Sequence, residues 1–258
     1  AVLFSATLSP LDYYVRMLGG NDNSPVLKIQ SPFNQDNLHL MIAPSVATTY
    51  KKRDSTIEEV ANYIKTMVDM KIGNYFVFFP SYKYLNNVLR CFEDANYDIH
   101  VQTSEMSESE KNAFLDYFKP NPQNTHVGFV VLGGIFSEGI DLIDDRLIGA
   151  VIVGVGLPQI SFERDLIKDY FDKEEENGFE FAYVKPGMNR VIQAVGRVIR
   201  SENDVGAVLL IDNRYLQARY RDLFKSEWDN YEVVLNVNDV KESLEKFYAH
   251  KIIEKNNK

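Results

Sequence analysis

The feature that most constrains the fold is an alternation along the chain of short, continuously apolar runs with amphipathic stretches of helical period. Tyr75–Phe79, Val127–Leu132, Ala150–Val153 and Val205–Ile211 carry apolar residues at successive positions instead of every second one. A strand that alternates can leave one face in water, but a continuous run must be covered on both faces, as parallel strands between helices are. Further strands are expected at Val2–Phe4, Val26–Ile29, Leu38–Ile42 and Ile99–Gln102. Helix starts lie between them. Ser55-Thr56-Ile57-Glu58 and Ser107-Glu108-Ser109-Glu110 both read as capping boxes, in which serine and glutamate satisfy each other's backbone amides. The first opens a helix with Ile57, Val60, Ala61, Ile64 and Val68 on one face, and the second turns Ala113, Phe114 and Phe118 inward. Residues 157–185 read as a helical insertion and Asp239–Lys255 as a terminal amphipathic helix. The expected class is therefore α/β, a mostly parallel sheet with helices on both faces.

Composition removes several functions. The longest uncharged apolar run, Leu147–Leu157, is far short of the roughly 20 residues of a membrane span, and no secretory apolar region opens the chain. Cys91 is the single cysteine, so the chain holds no disulfide, cysteine-rich zinc site or four-cysteine cluster of its own. His39, His100, His126 and His250 are scattered without ligand spacing. A formal charge of −9 argues against a general nucleic-acid binder. Asp165, Asp169, Asp172, Glu174, Glu175, Glu176 and Glu180 crowd one stretch against Lys168 and Lys173, which reads as a solvated acidic face. A nucleic-acid path would have to use a local surface elsewhere. The chain also opens inside a strand-like run, as an excised piece of a longer protein would.

The chemistry concentrates in Gln193-Ala194-Val195-Gly196-Arg197-Val198-Ile199-Arg200. On a helix, Gln193, Arg197 and Arg200 would share one stripe about 10 Å long, enough for both guanidinium groups to face one polyphosphate. The plainer alternative is a helix whose arginines face solvent. Pro186-Gly187 upstream fits the helix start. No G-x-x-x-x-G-K-S/T occurs, so the chain has no P-loop, and Gly154-Val155-Gly156 lacks the third glycine of a dinucleotide fingerprint. Those two glycines read instead as a sharp turn out of a buried strand. Gly133-Gly134-Ile135-Phe136-Ser137-Glu138-Gly139-Ile140-Asp141-Leu142 follows a buried strand, at the end where open α/β sheets place ligands. Ser137 can donate to a phosphate, and Glu138 and Asp141 can accept from arginine or a ribose hydroxyl. Alone this is equally a glycine-rich turn with a helix cap; beside the arginine segment it reads as half of a composite site.

Four segments occur in order: Ser5-Ala6-Thr7, Phe79-Pro80-Ser81, residues 134–141 and residues 193–200. They resemble motifs III to VI of superfamily-two helicases, and the wording of the first, third and fourth looks like the XPD/DinG branch. The resemblance implies a RecA-like second helicase domain, with residues 1–30 as the tail of the first domain and 31–258 as the second. It implies an ATP-dependent DNA helicase, cytoplasmic and active in DNA repair. Its first domain, absent here, would bring the P-loop, the Mg²⁺-binding acidic motif and, in some members, a 4Fe-4S cluster. By position, Arg197 and Arg200 would contact the γ-phosphate, Gln193 would orient the same site, and Glu138, Gly139, Asp141 and Gly196 would line the nucleotide cleft. Ser81, Tyr82, Ser104 and Ser137 would grip single-stranded DNA, and Ser5 and Thr7 would couple the two domains. The piece alone is expected to hydrolyse no ATP. Two other readings remain open at this point: a non-catalytic RecA-like interaction module, and an unrelated nucleotide-binding α/β enzyme.

Overall fold

Runs that are apolar at every position become strands that lose both faces to packing. The computed structural model describes residues 1–93, 96–136, 142–174 and 176–256. Its strands are β1 (Leu38–Ala43), β2 (Asn74–Phe79), β3 (Asp98–Val101), β4 (His126–Val131), β5 (Gly149–Val153), β6 (Gly206–Ile211) and β7 (Glu232–Val233). They form one sheet in the order β3-β4-β2-β5-β6-β1-β7, and every pairing is parallel. All strand carboxyl ends therefore meet at a single edge, where a parallel sheet collects its functional loops. The α/β class expected from the apolar runs is the one found. β1 to β6 lie within one residue of the expected boundaries at each end.

The helices are α1 (Leu11–Met17), α2 (Ile57–Asp69), α3 (Tyr82–Leu89), α4 (Glu108–Leu115), α5 (Phe162–Lys173), α6 (Lys185–Val195), α7 (Ala218–Arg221) and α8 (Val237–Asn256). Successive strand residues point to opposite faces. Phe76 and Phe78 of β2 join the layer under α4 and α6, with Phe114, Met188, Val191 and Ile192. Tyr75, Val77 and Phe79 join the opposite layer under α2, α3 and α8, with Val60, Ile64, Leu85 and Leu244. None of the described helices is long and apolar enough to cross a membrane.

Local expectations divide. The Ser107–Glu110 capping box forms: the Ser107 amide donates to Glu110 Oε2 at 2.7 Å and the Glu110 amide to Ser107 Oγ at 3.3 Å. Such a cap contributes ~1 kcal/mol to its helix. The box expected at Ser55–Glu58 does not form. Arg53–Ser55 is already a 3₁₀ turn, Ser55 Oγ donates back to the Lys52 carbonyl, and the cap position moves to Thr56. Ala113, expected inward, is exposed, while Phe114 and Phe118 are buried. Val2–Phe4 and Val26–Ile29 are not strands. No neighbouring strand among the described residues satisfies their backbone, and Val2 and Phe4 stay 88% and 90% exposed.

Two helical pieces follow β5. α5 is succeeded by a π-helical turn, Glu180–Val184, which runs directly into α6 with Pro186 in the first turn. α1 docks here. Tyr13 packs with Phe171 and Phe181, whose rings stack at 3.8 Å. Arg16 pairs with Glu176 at 3.3 Å and Lys185 with Asp12 at 3.0 Å. Part of the acidic stretch is thus neutralised within the molecule, Lys168 taking Asp172 at 2.7 Å and Arg219 taking Glu180.

Candidate functional site

The arginine segment leaves the helix earlier than its periodicity predicts. α6 ends at Val195 and Gly196 is its cap; the amides of Arg197 and Val198 donate three residues back, to Ala194 and Val195, at 3.1 Å each. Gln193, Arg197 and Arg200 therefore do not lie on one helical stripe, which corrects the sequence expectation. The cause is a buried carboxylate. Asp204, 3% exposed, accepts the amides of Arg200 at 2.6 Å and Ser201 at 2.7 Å, and the Ser201 hydroxyl at 2.8 Å. Side chain-to-backbone bonds of this kind compete with helix. Val198 meanwhile turns inward against Gly206, where an added Cβ would sit 2.3 Å from Val198 Cγ1. Gln193, Arg197 and Arg200 each remain half-buried along and beyond the end of α6.

The amino-terminal segment lies against this helix. Asn189 Nδ2 donates to the Thr7 carbonyl at 2.8 Å and also bonds the Tyr14 hydroxyl. Gln193 Nε2 reaches Thr7 Oγ1 at 3.5 Å, and Thr7 is tied to Ser5 through a hydroxyl contact of 3.3 Å. Of the two residues expected to couple the domains, Thr7 touches the helix that carries the expected catalytic glutamine, and Ser5 braces Thr7.

The first glycine of the glycine-rich segment lies against α6. Gly133 takes φ +75°, and a Cβ there would fall 2.7 Å from Arg190 Nε. Arg190, on α6, thereby packs over the first turn after β4. At the other end of the segment the Asp144 amide donates to Asp204 Oδ1 at 3.1 Å, the same carboxylate that holds Arg200. Ser137, Glu138, Gly139 and Asp141 lie outside the described residues. The described flanks meet at two points, Gly133 under Arg190 and the Asp144 amide at Asp204.

Ser81, Tyr82 and Ser104 stand at the carboxyl edge, after β2 and β3. Ser81 Oγ caps α3 by accepting the Tyr84 amide at 3.3 Å, and Ser104 is exposed. The Tyr82 hydroxyl donates to the Thr103 carbonyl at 3.2 Å and accepts from Gln102 Nε2 at 2.9 Å. Burial raises its pKa, against the bond from Gln102. Gln102 also accepts the Val131 amide at 2.8 Å and lies over Gly134, so one buried amide side chain links the ends of β3 and β4 to Tyr82.

Sequence reasoning missed the strongest polar constellation of this edge. Asp212, fully buried at the end of β6, accepts Arg214 Nε at 2.7 Å and Nη2 at 2.9 Å, and bonds the buried Thr48 hydroxyl. Burial works against the Arg214 charge, but the bond and field of Asp212 outweigh it and raise its pKa. The signal in the sequence was a carboxylate closing a continuous apolar run. Gly154 and Gly156 both take positive φ, +87° and +67°, and make the sharp turn expected after β5. Two shallow hollows lie instead at the amino edge, one of about 360 Å³ beside Tyr117, Pro120 and His126 and one of about 300 Å³ beside Tyr97 and Thr125. No group of acidic, histidine and cysteine side chains among the described residues could hold a metal ion.

Comparison with known proteins fits this arrangement. Residues 64–231 match the family described as the helicase C-terminal domain. An ATP-dependent DNA helicase DinG from Photobacterium profundum is 30% identical over 234 residues, 85% of this chain and 32% of that protein. A probable ATP-dependent helicase from Methanocaldococcus jannaschii is 26% identical over 89% of this chain and 37% of its own length. The chain thus spans about a third of these curated relatives. Among solved structures, an XPD helicase without ligand superimposes with a TM-score of 0.69 at 22% identity, over 90% of this chain and 47% of that one. That likeness identifies the sheet and its helices as RecA-like. The chain belongs to the helicase C-terminal domain family.

Proposed function

We propose that the chain is the second motor domain of an ATP-dependent DNA helicase and supplies arginines to ATP held mainly by a first domain of the same protein. The observation that carries this is the end of α6 and the turn beyond it. Gln193, Arg197 and Arg200 stand half-buried there, the amides of Asp144 and Arg200 share the Asp204 carboxylate, and Gln193 donates to Thr7. Residues 1–30 then belong to the junction between domains and the remainder to the motor domain.

The chain's side chains fit one end of a nucleotide only. Two guanidinium groups near the end of α6 suit the γ-phosphate, whereas the chain offers no P-loop for the remaining phosphates. One cysteine cannot ligate a four-cysteine cluster, so a 4Fe-4S group would belong wholly to another part of the protein. In hydrolysis, water attacks the γ-phosphorus and the bond to the β–γ bridging oxygen breaks, placing charge on the equatorial and leaving oxygens. Arg197 and Arg200 stabilise that charge, and Gln193 holds the face in register with Thr7. Asp204 positions the Arg200 backbone. Single-stranded DNA runs along the carboxyl edge past Ser81, Tyr82 and Ser104, where hydroxyls and backbone amides contact phosphates.

The purified 258-residue chain is expected to show no ATP turnover, because the phosphates lack their cradle. Turnover by that chain that disappears on Arg200→Ala would overturn the division of labour.

A further inference from the structure

We propose that the loop after β1, with Tyr50, Lys51 and Lys52 at its apex, is a contact site for single-stranded DNA. The inference rests on the nucleic-acid part of the proposed function and extends it to residues outside the helicase motifs.

The loop does not return directly from β1 to α2. It crosses the carboxyl edge, and buried groups fix its path. The Val46 carbonyl accepts the Asn213 amide at 2.9 Å. Thr48 is fully buried against Asp212, and its Oγ1 lies 3.0 Å from the place a Cβ on Gly154 would occupy, with Pro80 Cγ at 3.9 Å from the same point. Beyond the apex, Arg53 Nε donates to the Thr48 carbonyl at 3.0 Å, and its guanidinium lies 5.2 Å from the centre of the Tyr84 ring on α3. The amides of Lys52 and Arg53 both donate to the Thr49 carbonyl, at 2.8 and 3.0 Å, closing the turn. A loop pinned at Thr48 and Arg53 is thereby held with its apex in solvent. Tyr50 is 79% exposed, and Lys51 and Lys52 are exposed beside it.

The chemistry of that apex stands apart from the rest of the chain. Lys51, Lys52 and Arg53 against Asp54 make a local charge of +2 in a protein of −9. The nearby Asp212 does not cancel it, since Arg214 already holds that carboxylate through two bonds. An exposed aromatic ring next to ammonium groups is what a single strand requires, a stacking platform for a base with cations for its phosphates. Position agrees with chemistry. Pro80 and Tyr84, which the loop approaches, flank Ser81 and Tyr82, so the apex continues the strip of side chains assigned to the strand.

Binding of a fluorescein-labelled oligothymidylate to the 258-residue chain, titrated at several salt concentrations, tests the site. Lys51→Ala/Lys52→Ala is expected to reduce the slope of log affinity against log salt by about 1.4, two phosphates at about 0.7 each. Tyr50→Ala is expected to weaken binding about 5-fold or more with the slope kept, and Tyr50→Phe to retain affinity. Lys241→Ala/Lys246→Ala, exposed on α8, controls for general loss of charge and should leave the slope unchanged. If the wild-type chain binds and Lys51→Ala/Lys52→Ala keeps its full slope, the loop assignment is overturned while the helicase reading stands. If the wild-type chain binds no oligothymidylate at any salt, the loop and the nucleic-acid half of that reading fall together.

Discussion

At the carboxyl edge of the sheet the loops after β1, β3 and β6 are tied down by buried polar side chains: Thr48 bonds Asp212 across 164 residues, Gln102 bonds Val131 and Tyr82, and Asp212 also holds its near neighbour Arg214. At the amino edge one buried amide, Asn74, donates to the Lys119 and Asp145 carbonyls at 2.8 and 3.0 Å, and β3 and β4 carry a stack of rings beside it. His100 stacks on Tyr117 at 4.1 Å and on His126 at 5.3 Å, with the two imidazoles bonded at 3.0 Å. Stacked rings stabilise an edge mainly through buried area, and here only the bond between the two imidazoles adds direction. Buried polar groups fix directions, and an edge that must aim side chains at a ligand needs them. Two shallow hollows lie at the amino edge, beside Tyr117 and His126 and beside Tyr97 and Thr125.

The largest effect that would break this contrast falls on Asp212. Replacing it with alanine leaves Arg214 half-buried and the Thr48 hydroxyl without its acceptor, and should destabilise the chain by about 3–5 kcal/mol in urea unfolding. A cost comparable to an ordinary surface substitution would show that the carboxyl edge is not organised by this carboxylate. A smaller effect, of opposite location, comes from pH. Burial first, and then the neighbouring His126, lower the pKa of His100 below 6.5. The unfolded chain therefore binds a proton that the folded chain refuses, so this contribution is complete above about pH 6.5 and is lost as pH falls through the folded value. Melting temperature should decline between pH 7.5 and 5, and His100→Phe should flatten the decline. An unchanged profile would mean that His100 is not what titrates, since His39, also lowered by burial, would then account for the slope.

The sequence already exposed the sheet, because continuous apolar runs have few ways to be covered, and the Ser107–Glu110 box, because its partners are three residues apart. The second box failed for a local reason: Arg53–Ser55 closes a turn that periodicity does not reveal. Helical spacing put Gln193, Arg197 and Arg200 on one stripe, and Asp204, four residues past Arg200, drew the chain out of the helix. The edge network was illegible, because Thr48 and Asp212 meet across 164 residues. β7, two residues of an edge strand, is too short to leave an apolar pattern.

The proposal that this domain's arginines act on a phosphate bound elsewhere is tested most directly by ATP turnover of the full-length protein with and without Arg200. Arg200→Ala should lower DNA-stimulated ATP hydrolysis by about 10³-fold or more while single-stranded DNA affinity stays at the wild-type value. Wild-type turnover in that variant would contradict the account.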